Sequence, residues 1–488
     1  MGSVGELVGR YEPIIGLEVH AHLLTRTKLF CGCANRFGAP PNTLVCPVCL
    51  GLPGALPVLN RRAVTLALRA ALATGCTVHP VSVFERKNYF YPDLPKGYQI
   101  SQYERPLATG GFVAITGADG AEKRVRLARI HMEEDAGKLL HEGFPWSNEK
   151  SGVDLNRAGV PLIEIVSEPD LRGADEAHVY LTALRALLLY AEVSDGNMEE
   201  GSLRCDANVS VRRRGAEGFG TRTEIKNLNS FRNVARAVEH EVARQVAVLE
   251  SGREVVQETL LWNADRGETS PMRSKEEAQD YRYFPEPDLP PLAVTPEWID
   301  EARRSLPELP ADRRRRFASE YALPEYDAGV LTQERGVADY FEAVARACGN
   351  AKAASNWVMT DILRKLKDDR DLVSCPVGPA ALAGLMRLVD AGTISGKTAK
   401  DVFERMWATG EEAATIVERE GLTQLSDEAS LEAVVAEVVA SSPAQAASYR
   451  SGKVATLGWF VGQVMRRTGG RANPQRVNAL LRRALDGP

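Results

Sequence analysis

Residues 14–23 read Ile-Ile-Gly-Leu-Glu-Val-His-Ala-His-Leu, and the alternation in this stretch decides the class of fold. Its odd positions are all apolar, whereas the even positions include Glu18, His20 and His22. Because successive side chains of a β-strand point to opposite faces, the pattern predicts a strand that buries one face and presents Glu18 and His20 together on the other. The stretch therefore predicts a sheet with one apolar and one polar face.

Two other segments have the same alternation. In residues 202–211 the polar phase carries Arg204 and Asp206, and in residues 221–227 it carries Lys226. In residues 202–211 the opposite phase is entirely apolar, as expected of a strand with one buried face. We therefore expect the polar face to extend over several strands.

Two carboxylates lie in otherwise apolar phases. Glu164 is in phase with Leu162 and Val166, and Glu134 is in phase with Met132. A carboxylate among apolar side chains is unfavourable unless it is paired, protonated or bound to a metal ion. One interpretation is a set of solvated faces with structural ion pairs. The recurrence of the pattern favours the other interpretation, a polar cradle for Mg²⁺ and a phosphorylated ligand.

Four cysteines form two close pairs. One residue separates Cys31 from Cys33, two residues separate Cys46 from Cys49, and twelve residues lie between the pairs. Two such pairs can close a tetrahedral thiolate site for zinc, and four thiolates leave no position for a reactive water. The spacing predicts a structural zinc site, with an adventitious pair of turns or a redox dithiol as the alternatives.

The composition is that of a globular protein. Of the 488 residues, 44% are hydrophobic and 26% are charged, which excludes wholesale disorder. No run approaches the roughly 18 apolar residues of a membrane span, and the N-terminus does not resemble a signal peptide. Eight cysteines are too few for a disulfide scaffold in a chain of this length. We expect a reduced, cytoplasmic protein with no membrane partner.

A proline-rich stretch divides the chain. Five prolines fall between Pro285 and Pro296, a density that neither a helix nor an inner strand accepts. The pattern beyond it is helical, with glycines such as Gly410 where helices end. A run of four arginines over 313–316 is interpreted as a solvated helix face. The sequence predicts an α+β fold with a mixed domain over 10–293, an all-α helical domain over 294–409 and a small all-α tail domain over 410–488.

Six strings of the sequence are long and specific enough to identify a family. They are Ile15-Gly-Leu-Glu-Val-His20, Val45-Cys-Pro-Val-Cys-Leu-Gly-Leu-Pro-Gly54, Lys87-Asn-Tyr-Phe-Tyr-Pro-Asp-Leu-Pro-Lys-Gly-Tyr98, His131-Met-Glu-Glu-Asp-Ala-Gly-Lys138, Met198-Glu-Glu-Gly-Ser-Leu-Arg-Cys-Asp206 and Asp280-Tyr-Arg-Tyr-Phe-Pro-Glu-Pro-Asp288. They closely resemble the B-subunit family of the aspartyl/glutamyl-tRNA(Asn/Gln) amidotransferases, from about Glu12 to the C-terminus. The resemblance implies a cradle domain similar in its core to glutamine synthetase, followed by a helical domain and a tail domain.

The resemblance also implies a reaction and its partners. ATP phosphorylates the side-chain carboxylate of Glu-tRNA(Gln) or Asp-tRNA(Asn), and ammonia then displaces the phosphate to give Gln-tRNA(Gln) or Asn-tRNA(Asn). The ammonia comes from a separate amidase (glutaminase) subunit, which together with a small third subunit makes the complex a heterotrimer. The sequence has no G-x-S-x-G motif, which fits this division of labour.

The catalytic and binding residues that the resemblance implies fall into two groups. The magnesium site consists of Glu18 or His20 together with Glu134 and Glu164, and His20 is an unusual ligand for a cation that prefers oxygen. The nucleotide and acyl-end pocket is formed by the stretches that carry Lys87, Tyr89, Tyr91, Lys96, Arg204, Asp206, Lys226 and Arg273.

A basic tail favours a tRNA partner. Residues 404–449 have a net charge of −7, whereas residues 450–488 have a net charge of +7. We expect contacts to the tRNA backbone from Arg466, Arg467, Arg471, Arg476, Arg482 and Arg483. The alternative is a solvated basic face. Two other functions stay open: a non-catalytic tRNA adaptor, which has no need of buried acids, and a small-molecule amide ligase, which has nothing for a basic tail to bind.

Overall fold

The structure is a computed structural model in which residues 9–117, 119–273, 281–366, 372, 374–423, 428–470 and 472–486 are described. The chain divides into two compact units, Met1–Pro310 and Ala311–Pro488. The first unit is rich in β-sheet and the second is helical. The mixed class that the sequence predicts is confirmed.

The strands lie in the first unit. In chain order they are β1 (Tyr11–His22), β2 (Thr77–Val78), β3 (Val81–Ser82), β4 (Glu85–Asn88), β5 (Tyr98–Ser101), β6 (Ala108–Thr109), β7 (Phe112–Thr116), β8 (Glu122–Glu134), β9 (Lys138–Leu140), β10 (Gly152–Asp154), β11 (Pro161–Ser167), β12 (Leu203–Arg213), β13 (Thr223–Leu228), β14 (Thr259–Asn263), β15 (Glu268–Arg273), β16 (Arg282–Pro285) and β17 (Leu292–Ala293). Among the described residues, ten of these strands form the main sheet, in the order β15-β14-β13-β12-β1-β11-β8-β6-β2 with β7 paired to β8.

The central strand β1 follows the predicted alternation. Ile15, Leu17, Val19 and Ala21 are fully buried in the main core of the first unit. β1 pairs antiparallel with β11 on one side and with β12 on the other. Directly paired residues of neighbouring strands point to the same face, so these pairings extend both faces of β1 across the sheet.

Three helices supply the other half of that core. They are α1 (Arg61–Ala73), α2 (Ala174–Tyr190) and α3 (Phe231–Glu250). The Asn60 side chain accepts two backbone N–H groups at the start of α1, and Ser230 accepts one at the start of α3. Such caps satisfy N–H groups that have no partner inside a helix. Buried residues of all three helices pack with the apolar face of the sheet.

A small sheet with the order β16-β4-β5 brings distant residues together. Its antiparallel register aligns Tyr283 with Lys87 and Lys87 with Gln99. Residues of β5 contact β8 of the main sheet. Two short pairs, β9 with β10 and β3 with β17, complete the sheets of the described chain. The small sheet therefore places one of its faces close to the end of β8.

The remaining helices run from the end of the first unit through the second. They are α4 (Pro296–Arg304), α5 (Pro310–Glu320), α6 (Glu325–Leu331), α7 (Arg335–Cys348), α8 (Ala351–Trp357), a π-helical turn (Val358–Ile362), α9 (Leu363–Leu366), α10 (Pro379–Asp390), α11 (Gly396–Thr409), α12 (Ala413–Arg419), α13 (Glu428–Ala440), α14 (Pro443–Arg450), α15 (Thr456–Arg467) and α16 (Pro474–Asp486). Gly410 ends α11 in the left-handed conformation, with φ of 72°.

Within the described part of the chain, no helix has the length and apolarity needed to cross a bilayer.

The first unit ends at Pro310 rather than at residue 293, the end of the predicted mixed domain. The reason is α4, which packs on α1. The Trp298 indole N–H donates to the Thr65 hydroxyl over 3.1 Å, and the Arg61 guanidinium lies over the Trp298 ring. The first helix after the proline-rich stretch therefore belongs to the sheet-containing unit.

The arginine run in α5 is solvated only in part: Arg315 is exposed, but the interpretation as a solvated face is wrong for Arg313 and Arg316. Arg313 is only 6% exposed, and its Nη2 donates to Glu342 Oε2 over 2.9 Å. Arg316 Nη1 donates to Glu342 Oε1 over 2.7 Å. Glu342 lies in α7, so a partner distant in the sequence turns two of the four arginines inward.

Candidate functional site

The polar face of the main sheet is continuous across β8, β11, β1 and β12. His20 is paired with Glu164 of β11 and with Arg204 of β12, and Glu164 is paired in turn with His131 of β8. Glu18 is paired with Asp206. Paired residues have Cβ atoms about 5 Å apart on one face. The strands thus assemble residues that are up to 188 positions apart in the sequence, as the alternation predicted for Glu18, His20, Glu164, Arg204 and Asp206.

At the centre of this face His20, Glu133 and Glu164 form a group that we call the acid cluster. One side-chain nitrogen or oxygen of each lies within 4.8 Å of the others. His20 Nε2 is 3.4 Å from Glu164 Oε2, and His131 Nε2 is 3.3 Å from the same oxygen. Two carboxylates and one imidazole at this spacing could hold a divalent cation, although Mg²⁺ prefers oxygen ligands.

The carboxylates of the acid cluster are ionised at neutral pH. Burial opposes their charge, but His131 and His20 hold the pKa of Glu164 well below its ordinary value. In the same way Lys87 and His131 lower the pKa of Glu133 against the effect of burial. Burial also opposes charge on His131, yet Glu164 and Glu133 raise its pKa to about 9. The group therefore holds two buried negative charges next to cationic neighbours.

The small sheet covers the acid cluster with polar groups. The Ser101 hydroxyl donates to Glu133 Oε2 over 2.7 Å, and the Gln99 amide donates to Glu133 Oε1. Burial opposes charge on Lys87, but Glu133 and Glu164 raise its pKa, so its ammonium is a permanent cation facing the acids. Lys87 thus supplies a buried positive charge that faces the acid cluster.

Glu134 lies apart from the acid cluster. Lys96 forms an ion pair with it, and the backbone N–H of Ile100 donates to its Oε1 over 2.9 Å. Glu133, the next residue along β8, is the carboxylate that lies near Glu164. The sequence analysis missed Glu133 and His131. Both lie in the same phase of β8, and two charged residues in one phase were a signal that could have pointed to them.

Glu18, predicted as a possible magnesium ligand, and the other predicted pocket residues lie outside the acid cluster. Glu18 accepts a hydrogen bond from Asn208 over 2.9 Å, and burial raises the pKa of Glu18. Lys226 Nζ lies 2.8 Å from Asp206 Oδ2. Arg204 Nη1 lies 2.8 Å from Asp135 Oδ2.

Two predicted aromatic residues lie in or next to the loop between β4 and β5, and the last predicted residue lies elsewhere. The Tyr89 hydroxyl donates to Gln99 Oε1 over 3.3 Å, whereas Tyr91 is 52% exposed. Arg273 is paired with Thr259 at the end of β15, and its side chain lies outside the described residues. Tyr89 thus borders the acid cluster through Gln99.

The four cysteines converge as their spacing predicted. One Sγ atom from each lies within 4.8 Å of the others, and the sulfurs of Cys46 and Cys49 are 3.9 Å apart. Zn–S bonds of about 2.3 Å would place the sulfurs of a tetrahedral site about 3.8 Å apart. A hydrogen bond from Cys31 and the charge of the buried Lys28 lower the pKa of the Cys49 thiol to about 4. These residues fit zinc in both donor chemistry and spacing.

The basic tail presents its arginines outward. Arg466 and Arg467 are exposed on α15, and Arg476, Arg482 and Arg483 are exposed on α16. Acidic side chains of α13 already pair with two of them, Glu437 with Arg467 and Glu432 with Arg483. Arg471 lies outside the described residues.

The fold and the site together indicate that the protein is an enzyme. The polar face of the main sheet holds buried, ionised acids beneath a lysine, an arrangement that an enzyme needs and a passive adaptor does not.

Comparisons with known proteins give the family. Residues 13–300 match the family model described as the GatB/GatE catalytic domain, and residues 339–485 match the GatB domain. The chain is 57% identical to the B subunit of the aspartyl/glutamyl-tRNA(Asn/Gln) amidotransferase of Chlorobium phaeobacteroides, over 98% of this chain and 100% of the relative. The corresponding B subunits of Geotalea daltonii and Halorhodospira halophila are 55% and 56% identical, each over 98% of this chain and all of the relative. The chain belongs to this B-subunit family, and the resemblance read from the sequence is confirmed.

Proposed function

We propose that this chain is the subunit of a tRNA-dependent amidotransferase that activates and amidates the aminoacyl end of tRNA. ATP phosphorylates the side-chain carboxylate of Glu-tRNA(Gln) or Asp-tRNA(Asn), and ammonia then replaces the phosphate. The observation that carries the proposal is the acid cluster beneath Lys87. Phosphoryl transfer requires acids to hold Mg²⁺ and cations over the developing negative charge, and here the acids of the main sheet face a lysine of the small sheet.

In the first step His20, Glu133 and Glu164 would hold Mg²⁺, and Glu18 lies beside them on β1. A bound Mg²⁺ supplies positive charge to the phosphate oxygens of ATP. Lys87 lies opposite these acids and stabilises charge on the transferred phosphoryl group. Ser101 and Gln99 fix Glu133 by hydrogen bonds, so the acid does not have to reorganise during the reaction.

In the second step ammonia attacks the carbonyl carbon of the acyl phosphate. The new C–N bond replaces the C–O bond to phosphate, phosphate leaves with the electron pair, and the nitrogen loses a proton to give the neutral amide. An acyl phosphate is already activated, so positioning by the polar face suffices and a protein nucleophile is not required. A partner amidase (glutaminase) subunit supplies the ammonia, and a small third subunit completes a cytoplasmic heterotrimer.

The other predicted features serve this reaction from outside the acid cluster. Zinc in the four-cysteine site fixes the loop over residues 31–49, next to the cavity that Lys96 and Glu134 also line. The exposed arginines of α15 and α16 contact the tRNA backbone. We propose that the first unit is the cradle domain that the family resemblance relates in its core to glutamine synthetase.

The proposal is tested by phosphorylation of misacylated tRNA in the reconstituted complex with ATP labelled at the γ-phosphate. We expect the wild-type complex to form labelled acyl phosphate when ammonia is withheld, and Glu164→Gln to abolish it while glutamine hydrolysis by the partner persists. Labelling at near wild-type rates in Glu164→Gln would contradict the proposal. Absence of ATP turnover in the wild-type complex with misacylated tRNA would favour the adaptor function.

A further inference from the structure

Lys28 is a buried cation in the first unit that lacks a partner. Its side chain is fully buried, and its Nζ makes neither a hydrogen bond nor an ion pair with the described residues. Lysines are almost never fully buried unless they are paired, because an ammonium loses its hydration in the interior. The burial of Lys28 therefore points to an anion next to its Nζ.

The backbone holds Lys28 against the four-cysteine site. Thr27 and Ala34 form an antiparallel bridge, so the first pair of cysteines lies in the turn between them. The Lys28 N–H donates to the Cys33 carbonyl over 3.0 Å, and the Asn60 amide donates to the Lys28 carbonyl over 3.2 Å. Both backbone groups of Lys28 are therefore fixed, one of them by a proposed zinc ligand.

The side chain of Lys28 lies close to Cys49, the buried member of the four cysteines. Both side chains border Gly159, where a Cβ atom would lie 3.3 Å from Cys49 Cβ and 3.5 Å from Lys28 Cδ. A hydrogen bond from Cys31 is the main cause of the low pKa of the Cys49 thiol, and the charge of Lys28 lowers it further. Water can screen charge on the three half-buried cysteines, whereas at Cys49 a protein cation has to do so.

A zinc-loaded four-cysteine site carries excess negative charge. Four thiolates bring four negative charges and Zn²⁺ brings two positive charges, so the complex is a dianion. Such a charge is unfavourable in a partly buried position unless a cation lies beside it. Metal sites depend on neighbouring groups of this kind as well as on the ligands themselves. The unpartnered ammonium and the excess of negative charge are therefore complementary.

Glu134 is the alternative partner for Lys28. Its Oε2 would lie 3.9 Å from the same Cβ position at Gly159. However, Glu134 already pairs with Lys96 and accepts the backbone N–H of Ile100. The two partners predict different results, because thiols lose their protons when they bind zinc and only an interaction with thiolates depends on the metal.

We propose that Lys28 is the counter-ion of the zinc-loaded four-cysteine site, with its Nζ directed at the Cys49 thiolate. The inference rests on zinc in that site, which is part of the proposed function, and it is independent of the phosphoryl transfer. In the zinc-free chain the ammonium is buried without an anion and opposes folding, whereas in the loaded chain it pairs with the thiolates. Lys28 therefore strengthens zinc binding and destabilises the zinc-free chain.

The test compares Lys28→Met and Lys28→Gln, which remove the charge but keep a long side chain, with Lys150→Met, the same change at an exposed lysine of the first unit. Competition with a chromophoric chelator measures the zinc affinity of each full-length chain. We expect both Lys28 variants to bind zinc about tenfold or more weakly, which is the scale on which groups next to metal ligands act. Lys150→Met should match the wild type.

Melting temperatures with and without zinc provide a second readout. Replacing a lysine that merely stabilises the fold would lower the melting temperature in both states. A counter-ion predicts opposite signs, because removing an unpaired buried charge is favourable and removing a paired one is not. Lys28→Met should therefore melt at or above the wild-type temperature without zinc and below it with zinc, as followed by scanning calorimetry of the full chain.

Three results would overturn the proposal, each in a different way. Zinc affinities of both Lys28 variants equal to that of the wild type would leave the zinc site intact and remove the counter-ion. Melting temperatures lowered equally with and without zinc would assign Lys28 to the fold, with Glu134 as its partner. A wild-type chain that binds no zinc would contradict the zinc site as well. If Lys28→Met does not fold, Lys28→Gln decides by the same two measurements.

Discussion

Two buried carboxylates, Glu164 in the first unit and Glu342 in the second, differ in their partners, and this difference indicates that they have different roles. Glu342 is 7% exposed and is surrounded by donors: Arg313 and Arg316, with contacts of 2.7 to 2.9 Å, and the Tyr321 hydroxyl at 3.1 Å. Glu164 is equally buried, yet its nearest partners are two imidazoles at 3.3 and 3.4 Å.

The difference lies in whether the charge is already satisfied. The arginines around Glu342 neutralise it with direct hydrogen bonds, so a cation has no place there. Around Glu164 a second carboxylate lies close by, and the contacts to the neighbouring imidazoles are longer than ordinary hydrogen bonds. Glu342, whose charge is already neutralised, stabilises the fold, whereas Glu164, which lies beside a second carboxylate and has only distant partners, is suited to bind an ion.

The largest effect is expected from the acid cluster itself. Glu133→Gln should lower the rate of acyl-phosphate formation by about a thousandfold, the scale on which one charge-stabilising group acts. Glu134→Gln, which alters the ion pair with Lys96, should lower it by less than about tenfold, because a neutral partner at that position removes no ligand of the cluster. Single-turnover phosphorylation measures both rates. A larger effect from Glu134→Gln would assign the ion site to the other carboxylate of β8.

The four-cysteine site extends the comparison to a metal ion that stabilises the fold. Cys46→Ser should remove about one zinc ion per chain and lower the melting temperature of the first unit by roughly 10 °C, because metal binding and folding are coupled at such sites. Metal analysis and differential scanning calorimetry follow the two effects. Zinc-free wild-type protein whose four thiols react freely with an alkylating agent would show that the cysteines bind no metal.

Glu342→Gln tests how much the carboxylate that Arg313 and Arg316 neutralise contributes to stability. Removing one partner of a buried ion pair costs about 3 kcal/mol of unfolding free energy. Burial opposes ionisation, but Arg316 and its neighbours lower the pKa of Glu342 to about 2, below the roughly 4.3 of an unfolded glutamate. The stabilisation is therefore complete above about pH 4.3 and is lost as the pH falls toward 2.

Urea unfolding of the full chain between pH 2 and pH 7 measures that dependence. We expect the second unit to lose stability on acidification in the wild type, and to lose less in Glu342→Gln, which starts from a lower value. Parallel pH profiles for the two proteins would mean that Glu342 does not control the acid sensitivity of the second unit.

The smallest effect is expected in the basic tail, where paired and unpaired arginines can be compared on one helix. Arg467 pairs with Glu437, whereas Arg466 makes no ion pair with the described residues. Arg466→Ala should weaken tRNA binding a few-fold and reduce the slope of log affinity against log salt by about one. Arg467→Ala should change both less, because Glu437 already offsets its charge. Equal affinities and slopes for wild type and both variants would identify a solvated face.

The sequence predicted the polar face but not its centre. The period of β1 and β12 placed Glu18, His20 and Asp206 correctly, because alternation is a local property of a strand. The phase that Glu133 shares with His131 was only a weak signal for choosing Glu133 over Glu134, because the register that pairs Glu164 with His131 decides which carboxylate lies near Glu164. The small sheet that covers this centre is completed by β16, a strand almost 200 residues later in the chain than β4.

The dependence on partners that are distant in the sequence also explains why the arginine run over 313–316 was misinterpreted. Four consecutive arginines are typical of a solvated face, and nothing within a few residues contradicts that interpretation. Arg313 is nevertheless buried because Glu342, in a different helix, provides its partner. The cysteines were predictable because their chemistry restricts the geometry so strongly that spacing alone identifies the site.

The most direct test of the central claim is a titration of the full chain with Mn²⁺ as a paramagnetic substitute for Mg²⁺, followed by electron paramagnetic resonance. We predict one ion per chain, an affinity at least tenfold lower in Glu164→Gln, and an affinity close to wild type in Glu134→Gln. Undiminished Mn²⁺ binding in Glu164→Gln, or a larger loss in Glu134→Gln, would contradict the assignment of the ion to His20, Glu133 and Glu164.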